Sequence, residues 1–360
     1  MKKSIYNPGI LLFTTLFLFS LTLSAQEVKK EYHKEYAASA NTTLEISNRY
    51  GEVAIQSWDN NQIVIDVIIT VELPNREKAE KLLGYIDVEF SEGDNLVKAR
   101  TVINDDFNFS GWGSDSKKFS IDYNIKMPVK ASLTLGNKYG NTKINELHGL
   151  VNLDIKYGNI NAGKLLRGNI KPINRINVAY GKGTVEEAGW LDLTVRYVGS
   201  MNVTKSQALL LDSKYSKISL GETSSVVGES KYDNLKIEKI SNLILDNGYT
   251  DTNIGILTKK LNYKGSYGSF TINNIPAGFE SIEVETRYMG VKLGIDPSAN
   301  YNLDGKVSYG GLKYNEDNFK VHRRIIENNS NEVSGIIGKE ESPAAKVNIS
   351  SSYGTIRLYL

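Results

Sequence analysis

LTLGNKYGNTKI (133–144) and VNLDIKYGNINA (151–162) are one twelve-residue phrase written twice, eighteen residues apart. Leu133 and Leu135 alternate with polar residues before Tyr139, and Val151 and Leu153 do so before Tyr157. A period of two is the mark of a strand with one buried face. Worked outward in both directions, the phrase recurs on Tyr50, Tyr139, Tyr157, Tyr180, Tyr197, Tyr215, Tyr232, Tyr249, Tyr267, Tyr288, Tyr309 and Tyr353. From Tyr139 to Tyr309 the spacings run from 17 to 23 residues. Six residues before tyrosine, eleven of the twelve copies are apolar, Asn174 being the exception. Five residues after it, eleven of twelve are apolar, and Asn202 breaks the column between Met201 and Val203. A one-residue bulge is the reading there.

Positions −2, −4 and −6 share tyrosine's parity, so the rings are read as inward, at a corner. After tyrosine the inward residues fall at +3 and +5. Parity slips once, which requires a bend. Glycine follows tyrosine in seven copies, Gly51, Gly140, Gly158, Gly181, Gly268, Gly310 and Gly354. It reaches backbone angles that other residues avoid.

One such unit cannot bury its apolar face alone, whereas stacked units cover one another. The unit is shorter than a propeller blade of about 40 residues. Its strands are about half the length a membrane barrel needs. The expected fold is all-β, a parallel β-solenoid of about twelve short coils. Residues 26–58 form the first coil, 131–314 the main repeats and 346–360 the terminal coil. Between Tyr50 and Tyr139 the repeat is interrupted. There 59–130 reads as a small inserted α+β subdomain packed on the coils, with a helix from Pro74 through Leu83. Residues 315–345 read as a polar loop. That loop, or a partner, is expected to cover an end that would otherwise expose strand edges.

Composition narrows the function. The 360 residues include no cysteine, three histidines far apart, 43 Lys plus Arg and 41 Asp plus Glu. That leaves no disulfide framework or thiolate site and argues against a histidine-based metal centre. A near-neutral charge argues against nucleic acid as partner. Lys2 and Lys3, the apolar run Ile10–Leu23, and Ser24-Ala25 read as a secretory signal peptide over 1–25. No later segment reaches the roughly 20 apolar residues of a spanning helix. The chain is expected outside the cytoplasm, in the periplasm or on the cell surface of a bacterium.

Three stretches carry a resemblance. Gly-Glu-Val-Ala-Ile-Gln-Ser-Trp (51–58) is similar to the opening of the bacterial "putative adhesin" family of exported β-strand-repeat proteins. Met127-Pro128-Val129 leading to Leu133, Leu135 and Tyr-Gly-Asn (139–141) resembles that family's approach to its coils. Ser-Ser-Tyr-Gly-Thr-Ile-Arg-Leu (351–358) resembles its C-terminal coil. The resemblance covers most of the chain and implies an exported β-helical protein with an adhesive role and no assigned enzymatic site.

Two columns are candidate sites. The tyrosines read either as a structural stack about 4.8 Å apart or as an exposed ladder on which sugar rings stack. The residue before tyrosine is basic in seven copies, Arg49, Lys138, Lys156, Arg196, Lys214, Lys231 and Arg287. Aligned, these form a stripe suited to an acidic polysaccharide. Asp154, Asp212, Glu229 and Glu285 stand two positions before four of them and mute the stripe, leaving Arg49, Lys138 and Arg196 without such a partner. Trp112, with Asp105-Asp106 and Phe107, lies in a polar loop and joins the binding candidates. Glu186-Glu187 and Glu340-Glu341 are the other acidic pairs, and none has metal-loop spacing. No catalytic residue, metal or cofactor is assigned. The reading is a structural or adhesive protein that presents its flank to a glycan or protein. A polysaccharide lyase or hydrolase, and an envelope accessory protein acting through protein contacts, stand as alternatives.

Overall fold

The computed structural model describes residues 26–104 and 119–359. The leader 1–25 and the candidates Asp105, Asp106, Phe107 and Trp112 lie outside the described residues. Within them the chain is all-β apart from one helix, and its strands join a single mixed, mostly parallel sheet.

The strand Ser132–Lys138 ends one residue before Tyr139, and Val151–Lys156 ends one residue before Tyr157. They pair in parallel, with Leu133 opposite Val151 and Lys138 opposite Lys156. Equivalent positions of successive repeats therefore lie side by side. The strands after tyrosine form a second ladder, where Ile144 of Thr142–Leu147 stands opposite Ala162 of Ile160–Leu165. Farther on, the two halves merge into longer strands, Lys182–Arg196, Ser200–Lys214, Lys217–Lys231 and Asn234–Ile275. Leu133, Leu135, Ile144, Val151, Leu153 and Ile160 are all buried and belong to one continuous core. Each such side chain contributes about 1.5–3 kcal/mol. The bulge near Asn202 is present. Lys182 pairs with Ser200 and Val185 with Val203, so the extra residue falls between Tyr197 and Ser200.

The bend sits on tyrosine itself. All twelve have φ between 53° and 66°. This left-handed region costs an L-residue about 1–2 kcal/mol. A residue held there turns its side chain out of the strand's alternation. The inward reading of the tyrosines is thereby corrected: ten rings, from Tyr157 to Tyr353, are 41–56% exposed. Neighbouring rings stack at 4.7–5.2 Å between centroids with planes within 15°. Each stacked pair contributes about 0.5–1.5 kcal/mol, the same order as the backbone cost. Glycine is needed after tyrosine for a different reason from the one expected. Of the seven, Gly268 is the one with positive φ. A Cβ on Gly158 would stand 1.9 Å from the Gly140 carbonyl oxygen of the neighbouring repeat.

In three of the five repeats that lack this glycine a polar side chain, Ser216, Asp233 or Thr250, stands in the same place, and in the other two an apolar one, Val198 or Met289, is buried there. The Val198 N–H donates to Ser216 Oγ (3.1 Å), Ser216 N–H to Asp233 Oδ1 (2.6 Å) and Asp233 N–H to Thr250 Oγ1 (3.2 Å). Ser230 Oγ also donates to Asp233 Oδ2 at 2.7 Å. Asp233 is buried, and desolvation holds its pKa above the ordinary value despite these donors. One column further in, Asn137 Nδ2 donates to the Asn141 carbonyl at 3.0 Å and ties the two sides of the turn together.

Both ends differ from the expectation. Gln26–Ala37, expected in the first coil, pairs antiparallel with Gln62–Leu73. The inserted segment continues the ladders instead of packing against them. Its strand Leu96–Ile103 runs parallel to Thr43–Arg49, and Phe119–Pro128 runs parallel to Val53–Trp58. Its helix is Arg76–Gly84, with Asn75 as N-cap accepting the Lys78 N–H, so Pro74 lies outside it. At the other end, Lys346–Ser352 is not the outermost strand. It lies between Ser281–Ile295 and Tyr301–Ser308, parallel to both. Tyr353 accordingly stacks between Tyr288 and Tyr309. The stretch 315–345, read as a loop, contains the hairpin strands Phe319–Glu327 and Ser330–Ile337. Ser330–Ile337 pairs antiparallel with Tyr301–Ser308 and covers its edge.

Two outcomes test this account. Gly158→Ala lowers stability by about 3 kcal/mol in thermal unfolding, because backbone must move. Gly136→Ala, whose Cβ meets nothing within 4 Å, raises it by about 0.5 kcal/mol; equal melting of the two variants overturns the close-approach argument. For Asp233 the folded pKa is raised, so its protonated form stabilises the fold. That contribution is complete below about pH 4 and is lost as pH rises through the folded value. Melting curves of the wild type and Asp233→Asn between pH 3 and 7 should therefore diverge, with the wild type losing ground as pH rises.

Candidate binding face

The left-handed turn places the tyrosine edges and hydroxyls on the surface and leaves the residue before each tyrosine beside them. Because the rings stack on one another, their faces are covered along the column. A sugar ring cannot lie flat on them, so the ladder offers edges and hydroxyls. The column's two ends differ: Tyr50 meets the edge of Phe119 at 5.3 Å, and Tyr309 is the most exposed ring at 56%.

The basic residues fall in register, Arg49 opposite Lys138, Lys138 opposite Lys156, Arg196 opposite Lys214 and Lys214 opposite Lys231. Adjacent acids neutralise some of them. Lys156 pairs with Asp154 at 3.1 Å and Lys231 with Glu229 at 2.8 Å. The other two acids reach across to a neighbouring strand. Asp212 binds Arg196, whose Nη1 also donates to the Asp212 carbonyl at 2.7 Å. Glu285 binds Lys264 at 3.4 Å. The expectation that Arg196 lacks an acid is therefore corrected. Among the described residues Arg49, Lys138, Lys214 and Arg287 have no ion pair.

Two of these four cations are neighbours. Arg49 and Lys138 lie beside a shallow groove of about 440 Å³, lined also by Ser47, Tyr50, Gly136, Tyr139, Asp154 and Lys156. Gly136 leaves the space above its strand open. Lys138 Nζ lies 4.9 Å from the Tyr139 ring centroid and 5.8 Å from that of Tyr157. This cation–π contact holds the ammonium beside the ladder. Asp154, the carboxylate of the groove, is the one held by Lys156. The arrangement suits a bound anion.

A second groove, of about 470 Å³, is lined by Gln56, Asp66, Asn124, Lys126, Asn145, Asn161 and Glu186, among others. Asp66 accepts from His33 at 2.6 Å, and with Glu35 it raises the histidine pKa. Glu187 pairs with Lys205 at 3.1 Å, and Glu340 accepts from Asn300 at 3.4 Å. Among the described residues no group of three His, Asp or Glu could hold a metal ion. No helix among them is long and apolar enough to cross a membrane.

No family model matches the chain, and no curated protein matches its sequence. Solved structures do. One is a "putative cell adhesion protein" from Clostridium sporogenes, 13% identical, covering 92% of this chain and 98% of that one, with a TM-score of 0.20. A "putative adhesin" from Bacteroides fragilis is 11% identical over 91% and 96% of the two chains, with a TM-score of 0.29. Another from Parabacteroides merdae is 12% identical over 91% and 95%, with a TM-score of 0.29. These proteins carry the same kind of name as the family that residues 51–58, 127–141 and 351–358 resemble.

Proposed function

We propose that this chain is an exported bacterial β-solenoid that works by binding, and that its flank takes an acidic glycan. The carrying observation is the pair Arg49 and Lys138, adjacent in register, free of ion pairs among the described residues, and open to a groove beside stacked tyrosines. Two cations on adjacent strands can hold carboxylate or sulfate groups on a flexible polymer. The long flank supplies more contacts of the same kind at lower density, at Lys214 and Arg287. The groove is shallow and lined by cations, tyrosines and small polar residues, and its carboxylate, Asp154, is paired with Lys156, which favours retention of a polymer over its cleavage. The leader read over residues 1–25 would carry the chain out of the cytoplasm.

The experiment is equilibrium binding to heparin and polygalacturonate as probes. Arg49→Glu with Lys138→Glu is expected to weaken binding at least tenfold, about 1.4 kcal/mol. Binding by the wild type should fall steeply between 50 and 500 mM salt, as screening dictates. Lys231→Glu, at a cation already neutralised by Glu229, should change affinity by less than about twofold. Undiminished binding in the double variant would sink the proposal. Digestion of the chain by protease added to intact cells distinguishes a surface location from a periplasmic one.

A further inference from the structure

The tyrosine ladder runs through all twelve repeats, and the proposed glycan groove uses only one end of it. Eleven stacking steps of 4.7–5.2 Å carry it about 50 Å at the spacing of neighbouring strands. Ten of its rings are about half exposed. A tyrosine carries roughly 200 Å² of surface, so these residues leave about 1,000 Å² uncovered, ring edges and hydroxyls together.

The chemistry of the strip narrows what can cover it. A ring from a partner cannot slip between rings already in contact, so contact must run edge to edge. At the edge each ring offers one hydroxyl, which both donates and accepts. A row of such groups is complementary to an identical row, which a row of lysines or carboxylates is not. A partner must also match the repeat, because a mismatch of a few tenths of an ångström per step loses register within a few rings. A second copy of this chain has the same repeat at every step. We infer that two copies of this chain pair through their tyrosine ladders, hydroxyl row against hydroxyl row, about a two-fold axis. Two such strips would cover up to about 2,000 Å², within the range of stable interfaces at about 1,200–2,000 Å². An isologous contact of this kind closes on itself and stops at two copies. The Arg49 and Lys138 grooves lie beside the ladder and stay at the rim, so the pair would present two of them.

The test is sedimentation equilibrium of the secreted chain from about 1 to 200 μM, an interval that brackets the weak end of interfaces this size. A concentration-dependent dimer is expected. Replacing Tyr197, Tyr215, Tyr232 and Tyr249 together by Phe keeps the rings stacked and removes four hydroxyls. This set is expected to weaken the dimer at least tenfold with melting nearly unchanged. Replacing the same four by Asn, which tolerates the left-handed backbone, is expected to abolish it, with folding checked by circular dichroism. A monomer at 200 μM, or a dimer that survives the Asn set, overturns the inference; a dimer unaffected by the Phe set overturns the hydroxyl pairing. The Arg49→Glu, Lys138→Glu variant should dimerise as the wild type does, which separates this result from the fate of the glycan proposal.

Discussion

One left-handed residue per repeat governs the whole molecule. With φ near 55–65° at each tyrosine, the chain changes direction and exchanges the faces of its strand. Residues at −6 and −4 before the turn, and at +3 and +5 after it, then share one core, while tyrosine stands outside. Because the conformation recurs at the same place, the turns lie over one another at strand spacing and the rings must meet. The stacking in turn offsets much of what the conformation costs. The same proximity brings the next backbone within 2 Å of where a Cβ would be on Gly158, which is why glycine follows tyrosine in seven of the twelve repeats.

What the sequence disclosed, and what it withheld, follows from this constraint. The repeat was legible because every unit buries the same columns, Leu133 with Val151 and Leu135 with Leu153. The tyrosine's orientation was misread because parity counting assumes an extended backbone, and Tyr139 does not have one. Ion pairing was misread because the sequence displays neighbours along a strand only. Asp212 and Glu285 chose Arg196 and Lys264 on adjacent strands. The hairpin strand Phe319–Glu327 escaped notice because it is exposed on both faces and has no alternation to betray it. Of the binding candidates, register brings Arg49, Lys138 and Lys156 together in one groove. Arg287 stands apart, and Trp112 lies outside the described residues.

The surface is divided by the same geometry. Each repeat supplies a tyrosine edge and one residue beside it, so a single choice of residue per copy writes a stripe along the flank. Tyrosine is invariant across the copies within this chain, and the ridge is uniform. The neighbouring position is basic in six of the first seven copies, Ala179 being the exception, and in one of the last five, Arg287 among Gly248, Ser266, Ser308 and Ser352, so positive charge is concentrated toward one end. A uniform ridge and a varied row give two surfaces of different chemistry on one scaffold.

The threading of Lys346–Ser352 between two earlier strands has a mechanical consequence. Most strands of the ladder are followed in space by the next in sequence, and tension on the chain could peel them away one at a time. This strand is held along its length by Ser281–Ile295 on one side and Tyr301–Ser308 on the other. A pull along it loads both sets of hydrogen bonds in shear and at the same moment, instead of opening them in turn. Lys346–Ser352 is thereby held against peeling in a way that a strand added at the edge of the sheet is not.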